Sequence, residues 1–490
     1  MNSGAIVLVT LVLGVTAMGF LASRWGAGNL SNLDEWALGG RRFGTVVSWF
    51  LLGGDLYTAY TFIAVPALVY GVGALGFFAV PYATIAYPVA FVILTRFWSV
   101  ANTRGYVTAA DFVRDRFGSR SLEVAVAITG VLAAMPYIAL QLDGMRAVFV
   151  QLGGIFTTGG GLLALAIPFV LLAAYTYTSG LRAPAMIAFV KDALIYITVI
   201  AAIVVIPAKL GGWGHVFALS ANALAAKPKP GGILLAPSQY FAYATMAFGS
   251  SLSLFIYPHS ITSILAAKSR GVIRRNAALL PVYSLLLGFL ALLGYCGLAA
   301  GIKTANSSSV VPLLIARFFP DWFAGVAWAA IVIGALVPAA IMAIGSANLF
   351  ASNVFNQFST QRASGEARTA KLLTLVFCAA ALILVLFVPV KYAIYFQLLG
   401  GAWMLQVFPA FVFGLYTAWF DRRALLAGWA CAMVASTLMA VSTGFNPNIT
   451  IHLAGATITG FIALYALAIN LIVTTLATLA VGGTRAVHQS

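Results

Sequence analysis

Acidic residues are scarce in this 490-residue chain: 11 Asp and Glu stand against 27 Lys and Arg, and charged residues of all kinds make up only 8%. A surface facing water on all sides carries far more charge, so a soluble globular protein is excluded. Cysteine is nearly absent too. Cys296, Cys378 and Cys431 lie inside apolar runs with no C-x-x-C spacing, which argues against a disulfide framework or a zinc site. The four histidines, His215, His259, His452 and His488, are scattered without metal-ligand spacing. No G-x-x-x-x-G-K-[ST] or H-E-x-x-H sequence is present. These absences argue against an enzyme, and no cofactor is expected. What is abundant is apolar: 62% of residues are hydrophobic, in long continuous runs. That is the composition of a polytopic helical membrane protein, whose spans need about 20 apolar residues each.

Thirteen spans are expected, at 4–23, 44–70, 74–97, 122–145, 161–178, 185–207, 238–260, 277–300, 323–352, 371–388, 394–419, 424–442 and 454–480. No positive segment precedes the first, so it reads as a retained span and not a cleaved leader. Segments after odd-numbered spans hold nineteen Lys and Arg, counting Arg96, and those after even-numbered spans hold seven. The positive-inside rule then puts the N-terminus outside and the C-terminus in the cytoplasm of a cell-membrane protein. The formal charge of +16 follows this topology, so nucleic acid is not an expected partner. The bilayer and a small molecule are, and no obligatory protein partner is inferred.

One stretch organises the rest. Residues 43–70 are long enough to span, yet carry Gly53, Gly54 and Asp55 in a row. A mid-membrane carboxylate costs about 2.5–3.5 kcal/mol on insertion scales. Two glycines weaken the helix beside it, and a break frees carbonyls that hydrocarbon cannot satisfy. Together they make a hard oxygen site for a small cation, or else the glycines serve close packing and Asp55 lines a wet vestibule. The seventh span also reads as broken, at Gly249-Ser250-Ser251. Interrupted spans five apart point to inverted five-helix repeats, spans 2–6 and 7–11, with a site at their interface. The expected units are 1–42, a first span and loop; 43–208 and 238–420, the two repeats; and 421–490, two further spans and a tail.

Polar groups near the breaks are candidates for contact with a substrate: Tyr57 and Tyr60; Tyr137 and Gln141, four apart on one helix face; Ser250, Ser251 and Tyr257; and Gln397. His259 reads as a proton relay or a structural histidine. Asp143 reads as a local pair with Arg146, and Lys191-Asp192 as interfacial charges snorkelling at the cytoplasmic start of span six.

Several segments resemble the solute:sodium symporter family. LLGGDLYTAY (51–60) is similar to that family's segment with an ion-binding aspartate. YTYTSGLRA (175–183) is similar to its T-x-x-G-G-L-x-A turn, with Ser179 for the first glycine. YPHSITSILAAKS (257–269) is similar to a P-H-x-x-x-R-F stretch, with Ser263 where arginine is usual. FQLLGGAWMLQVFPAFVFGLY (396–416) is similar to its eleventh span. The resemblance implies the leucine-transporter-like fold and a sodium site between spans two and nine. There Asp55 and the carbonyls of Gly53, Leu56 and Ala339 would be ligands. The family's two hydroxyl positions fall on Met342 and Ala343, with Ser346 one turn on. Four oxygens are few for a hard cation, so protons through Asp55 stand beside sodium as the coupling ion. VPAAIMAIGSANLF (337–350) most resembles the monocarboxylate permease branch. The implied function is secondary symport importing a small organic acid such as lactate or pyruvate, coupled to sodium or protons. An amino-acid or sugar symporter, or a non-transporting sensor of the same fold, is the alternative.

Overall fold

The computed structural model describes residues 3–22, 30, 32–54, 57–153, 156–157, 162–228, 231–355, 366–388, 391–453 and 456–481. The chain is almost wholly helical: α1 (Ser3–Leu21), α2 (Leu33–Leu38), α3 (Thr45–Gly54), α4 (Val65–Val72), α5 (Ala79–Arg104), α6 (Ala109–Phe117), α7 (Arg120–Phe149), α8 (Leu162–Ser179), α9 (Arg182–Lys209), α10 (Trp213–Ala225), α11 (Tyr240–Leu254), α12 (Pro258–Leu265), α13 (Arg270–Leu279), α14 (Pro281–Ala299), α15 (Val310–Phe318) and α16 (Asp321–Phe350). There follow α17 (Glu366–Phe387), α18 (Ile394–Met404), α19 (Phe408–Phe411), α20 (Arg422–Ser442) and α21 (Ile462–Ala480). Among the described residues ten helical stretches are long and apolar enough to cross a membrane, not thirteen. Three of the expected spans lie outside that count: the second and the seventh are broken into pieces, and the fifth counts only as the shorter apolar stretch Leu163–Ala174.

The second span is described as helix to Gly54, bends at Tyr57 and Thr58, and is helical again from Ala59, entering a π-helical turn at Tyr60–Ala64 before α4. A restarting helix has N–H groups with no partner within the helix. Here three are met by side chains: Thr61 Oγ1 accepts from Thr58 N–H at 3.2 Å, Gln141 Oε1 from Ala59 N–H at 2.9 Å, and Thr58 Oγ1 from Tyr60 N–H at 2.9 Å. The seventh span breaks later than the sequence suggested, at 255–257 and not at 249–251. Gly249 stays helical and lets Phe461 approach, whose ring lies 2.8 Å from where a Cβ would be. Pro258 cannot donate, so it opens α12 at the first helical position. Ser260 Oγ donates to the Leu254 carbonyl at 2.9 Å across the break.

Two 30-residue helices, α7 and α16, run antiparallel through the centre, each with an internal proline, Pro136 and Pro338. Both touch both breaks. On α7, Gly130 faces Pro258 and Gly144 faces Ala59. On α16, Gly334 faces the Tyr57 carbonyl and Gly345 faces Pro258 and His259. The two helices therefore pass the same pair of breaks in opposite order, as an inverted repeat requires.

Other differences lie in the connections. The loops expected at 208–237 and 301–322 hold the helices α10 and α15. The last span starts at Ile462, not 454, because two antiparallel strands, β1 (Asn448–Leu453) and β2 (Ala456–Phe461), precede it, with Asn448 opposite Phe461. Alternating β-branched residues (NITIHL, ATITGF) favour strand there. At the opposite end, the turn before α9 docks on α2. Leu181 N–H donates to the Trp36 carbonyl at 2.9 Å, and Arg182 pairs with Glu35. Gly180 has φ +58°, and a Cβ there would meet the Trp36 oxygen at 2.4 Å, so the S-G-L-R-A motif is a docking turn.

Candidate functional site

The residues between the breaks build the site from both sides. Tyr57, Tyr60 and Thr61 follow the first break. With Tyr82, Tyr87, Tyr137 and Tyr283 they line a small cavity of about 10 Å³, room for about one water. Tyr57 Oη donates to the Tyr283 carbonyl at 3.2 Å, whereas Tyr60 Oη is buried with no partner among the described residues. Gln141 spends its oxygen on Ala59, and its Nε2 has no partner among the described residues. One turn away on α7, Tyr137 packs on Tyr257 and His259, with ring centroids 5.7 and 5.6 Å apart. Tyr257 Oη donates to the Gln397 carbonyl at 3.4 Å, which brings α18 to the second break. The Gln397 amide, both His259 nitrogens and Ser250 Oγ are buried without partners among the described residues.

Buried polar groups are nearly always paired, so these orphans make the residues around the breaks the candidates for contact with something polar. Seven of the candidates from sequence thus gather about the breaks: Tyr57, Tyr60, Tyr137, Gln141, Tyr257 and Gln397, with Ser250 just before the second. Ser251 is differently placed. Its hydroxyl lies 2.8 Å from the Tyr82 carbonyl and 2.6 Å from that of Ala247, tying α11 to α5.

Of the expected cation ligands, Asp55 and Leu56 lie outside the described residues. Gly53 is buried, packs on Tyr283, and its carbonyl accepts from Tyr57 N–H at 3.2 Å. Ala339 is buried in α16, between the glycines that face the two breaks. Ser346 is buried two turns beyond Ala339, its hydroxyl donating to the Met342 carbonyl at 2.8 Å and keeping its oxygen lone pairs. Pro338 has no N–H to give the Gly334 carbonyl its usual helical bond, and Gly334 is the α16 residue that faces the Tyr57 carbonyl.

His259, read from sequence as a proton relay or a structural histidine, lies within the orphan cluster. One feature was misread from sequence. Lys191 and Asp192 are not interfacial: both are fully buried, the Lys191 ammonium 2.9 Å from Asp192 Oδ1 and 3.2 Å from the Tyr57 carbonyl at the first break. Lys191 is nine residues into the helix that starts at Arg182, ~13.5 Å along its axis, too deep to snorkel back.

On the cytoplasmic side by the charge count, α6 is tied down. Thr108 Oγ1 donates to Asn353 Oδ1 at 2.7 Å. Asn353 Nδ2 donates to Asp111 at 2.6 Å and to the buried Glu123 at 2.9 Å. At the other end a larger cavity of about 440 Å³ opens between Phe77, Phe217, Leu234, Tyr243 and Tyr295.

Comparison with known proteins agrees with this geometry. Residues 36–431 match the sodium:solute symporter family. A monocarboxylate transport permease protein of Rhizobium johnstonii is 54% identical over 94% of this chain and 93% of its own length. The uncharacterized symporter YodF of Bacillus subtilis is 33% identical over 88% of this chain and 87% of its own. Among solved structures, a Na+-coupled sialic acid symporter in a substrate-bound outward-open state superposes with a TM-score of 0.77, covering all of both chains at 15% identity, a likeness of fold alone. With two inverted, broken-helix halves and a match over most of its length, the chain belongs to the sodium:solute symporter family.

Proposed function

We propose that this symporter imports a small monocarboxylate together with sodium, the N-terminus outside and the cytoplasm receiving the substrate. As a member of this family it is a multi-pass transporter of the cell membrane and not an enzyme. The observation that carries the substrate reading is the set of unpartnered groups at the breaks. Tyr60 Oη, Gln141 Nε2, Gln397 Nε2, Ser250 Oγ and a His259 nitrogen are all able to donate. A carboxylate only accepts, so it answers several of them at once. The named activity of the Rhizobium johnstonii relative supports the same class. Sodium is favoured by family membership, and the first break has Gly53 beside Asp55 and Leu56 in sequence and Gly334 facing it from α16. Nothing supports protons as the coupling ion. We assign the two inverted halves to 43–208 and 238–420.

The test is uptake into proteoliposomes of labelled lactate, pyruvate, acetate, proline and glucose. Each is measured with an inward sodium gradient, with choline in its place, and with a pH gradient alone. Accumulation of one of the acids only under the sodium gradient is expected. Accumulation under the pH gradient alone would overturn sodium coupling. Accumulation of proline or glucose but of no acid would overturn the substrate class. Binding without accumulation would make the protein a sensor.

A further inference from the structure

Lys191 and Asp192 belong to no part of the substrate cluster, yet they hold the first break. An ammonium has three donors and no acceptor, so a lysine buried here must be met by oxygen. Two of those oxygens are the Tyr57 carbonyl at 3.2 Å and Asp192 Oδ1 at 2.9 Å. The other carboxylate oxygen accepts from Tyr283 Oη at 3.2 Å, and the Tyr283 carbonyl accepts from Tyr57 Oη at 3.2 Å. The rings of Tyr57, Tyr196 and Tyr283 close around the pair, with centroids 4.5 to 6.4 Å apart. A main-chain carbonyl beside a helix break and a carboxylate on a neighbouring helix form the ligand set that broken membrane helices offer to an alkali cation. In this chain an ammonium on a side chain stands there.

We propose that Lys191 is a tethered cation, filling a cation position between the first break and Asp192 that is closed to exchangeable ions, so that one sodium accompanies each substrate anion. The inference rests on the sodium-coupled monocarboxylate reading above. It has an electrical consequence: one sodium and one monocarboxylate carry no net charge, and a cation bound to the chain moves none. Removing the ammonium reverses this. Asp192 is left charged in a buried site without its counter-ion, and free sodium becomes the replacement at hand.

The experiment compares the natural protein, Lys191→Ala, and a Lys191→Met/Asp192→Asn double variant in which neither charge remains. The first readout uses purified, substrate-free protein. Its stability against unfolding is followed as sodium replaces choline at constant ionic strength, and the slope against the logarithm of sodium concentration counts bound ions. The expected slopes correspond to one ion for the natural protein, two for Lys191→Ala and one for the double variant. The second readout is sodium-driven uptake with and without an imposed inside-negative potential. No effect is expected in the natural protein, and acceleration is expected in Lys191→Ala. A one-ion slope in folded Lys191→Ala, or a two-ion slope in the natural protein, would overturn the tethered cation while leaving sodium coupling standing. No sodium-dependent stabilisation in the natural protein would instead overturn the coupling reading. If Lys191→Ala does not fold, the natural protein still decides: a two-ion slope or potential-driven uptake refutes the proposal.

Discussion

At the scale of single residues, the site separates groups that hold the fold from groups left over for a ligand, and paired substitutions tell them apart. The Gln397 amide has no partner among the described residues, so Gln397→Leu orphans nothing. We expect unchanged thermal stability and a rise in KM of about 10–100-fold, the worth of one hydrogen bond to a charged group. Gln141→Leu also strands the Ala59 N–H, at a cost of about 1–3 kcal/mol, so its melting temperature should fall along with transport. The adjacent serines make a second pair. Ser250→Ala should raise KM without loss of stability, and Ser251→Ala should lose about 1 kcal/mol with KM unchanged, because its hydroxyl ties α11 to α5. Equal effects in unfolding and uptake assays would remove the distinction. Tyrosine and glutamine beside a break can be picked out by type and spacing alone. Lys191 and Asp192 could not be so placed, because a charge in an apolar run has the same sequence whether it reaches water or a buried carbonyl. Only its depth along α9 and the position of Tyr57 decide.

At the scale of elements, the first break was legible because three unfavourable choices, Gly53, Gly54 and Asp55, fall together where a membrane helix tolerates none of them cheaply. The second was displaced because Gly-Ser-Ser has two readings. Small residues interrupt helices, but they also let helices meet, and here Gly249 receives Phe461 while proline sets the break. The antiparallel passage of α7 and α16 past both breaks was implicit in the five-span spacing, and its glycine contacts were not. They carry a prediction. A Cβ at Gly144 would stand 2.3 Å from Ala59 Cβ, and one at Gly345 3.0 Å from the backbone of Pro258 and His259, whereas nothing lies within 4 Å at Gly14. Gly144→Val and Gly345→Val should each cost about 1–3 kcal/mol or more by overpacking, and Gly14→Val should leave stability and uptake as they are. Melting curves of the three purified variants check this, and a neutral Gly144→Val would remove the close approach that sets the first break.

At the scale of the whole molecule, the charges divide the two ends of the bundle. Of the ion pairs among the described residues, all but Lys191–Asp192 lie at one end, on α2, α6, the starts of α7 and α9 and the end of α5: Arg41–Asp34, Arg42–Glu35, Arg104–Asp115, Arg114–Glu123 and Arg182–Glu35. That is the end the count of nineteen against seven assigns to the cytoplasm, where lysine and arginine are retained during insertion. The 440 Å³ cavity opens at the other end, beside α10 and the start of α11. Orientation therefore decides which compartment this structure faces, and it is open to direct measurement. Arg270 and Lys303 are both exposed and lie at opposite ends. Cys296 and Cys378 are buried and Cys431 is exposed, so labelling belongs in a Cys431→Ser background. We expect Lys303→Cys to react with a membrane-impermeant maleimide in intact cells, and Arg270→Cys only after the membrane is opened. The reverse would leave the inverted fold untouched, since α7 and α16 exchange roles under inversion. It would turn the large cavity toward the cytoplasm and put the hydrogen-bond network around Asn353 on the outer side.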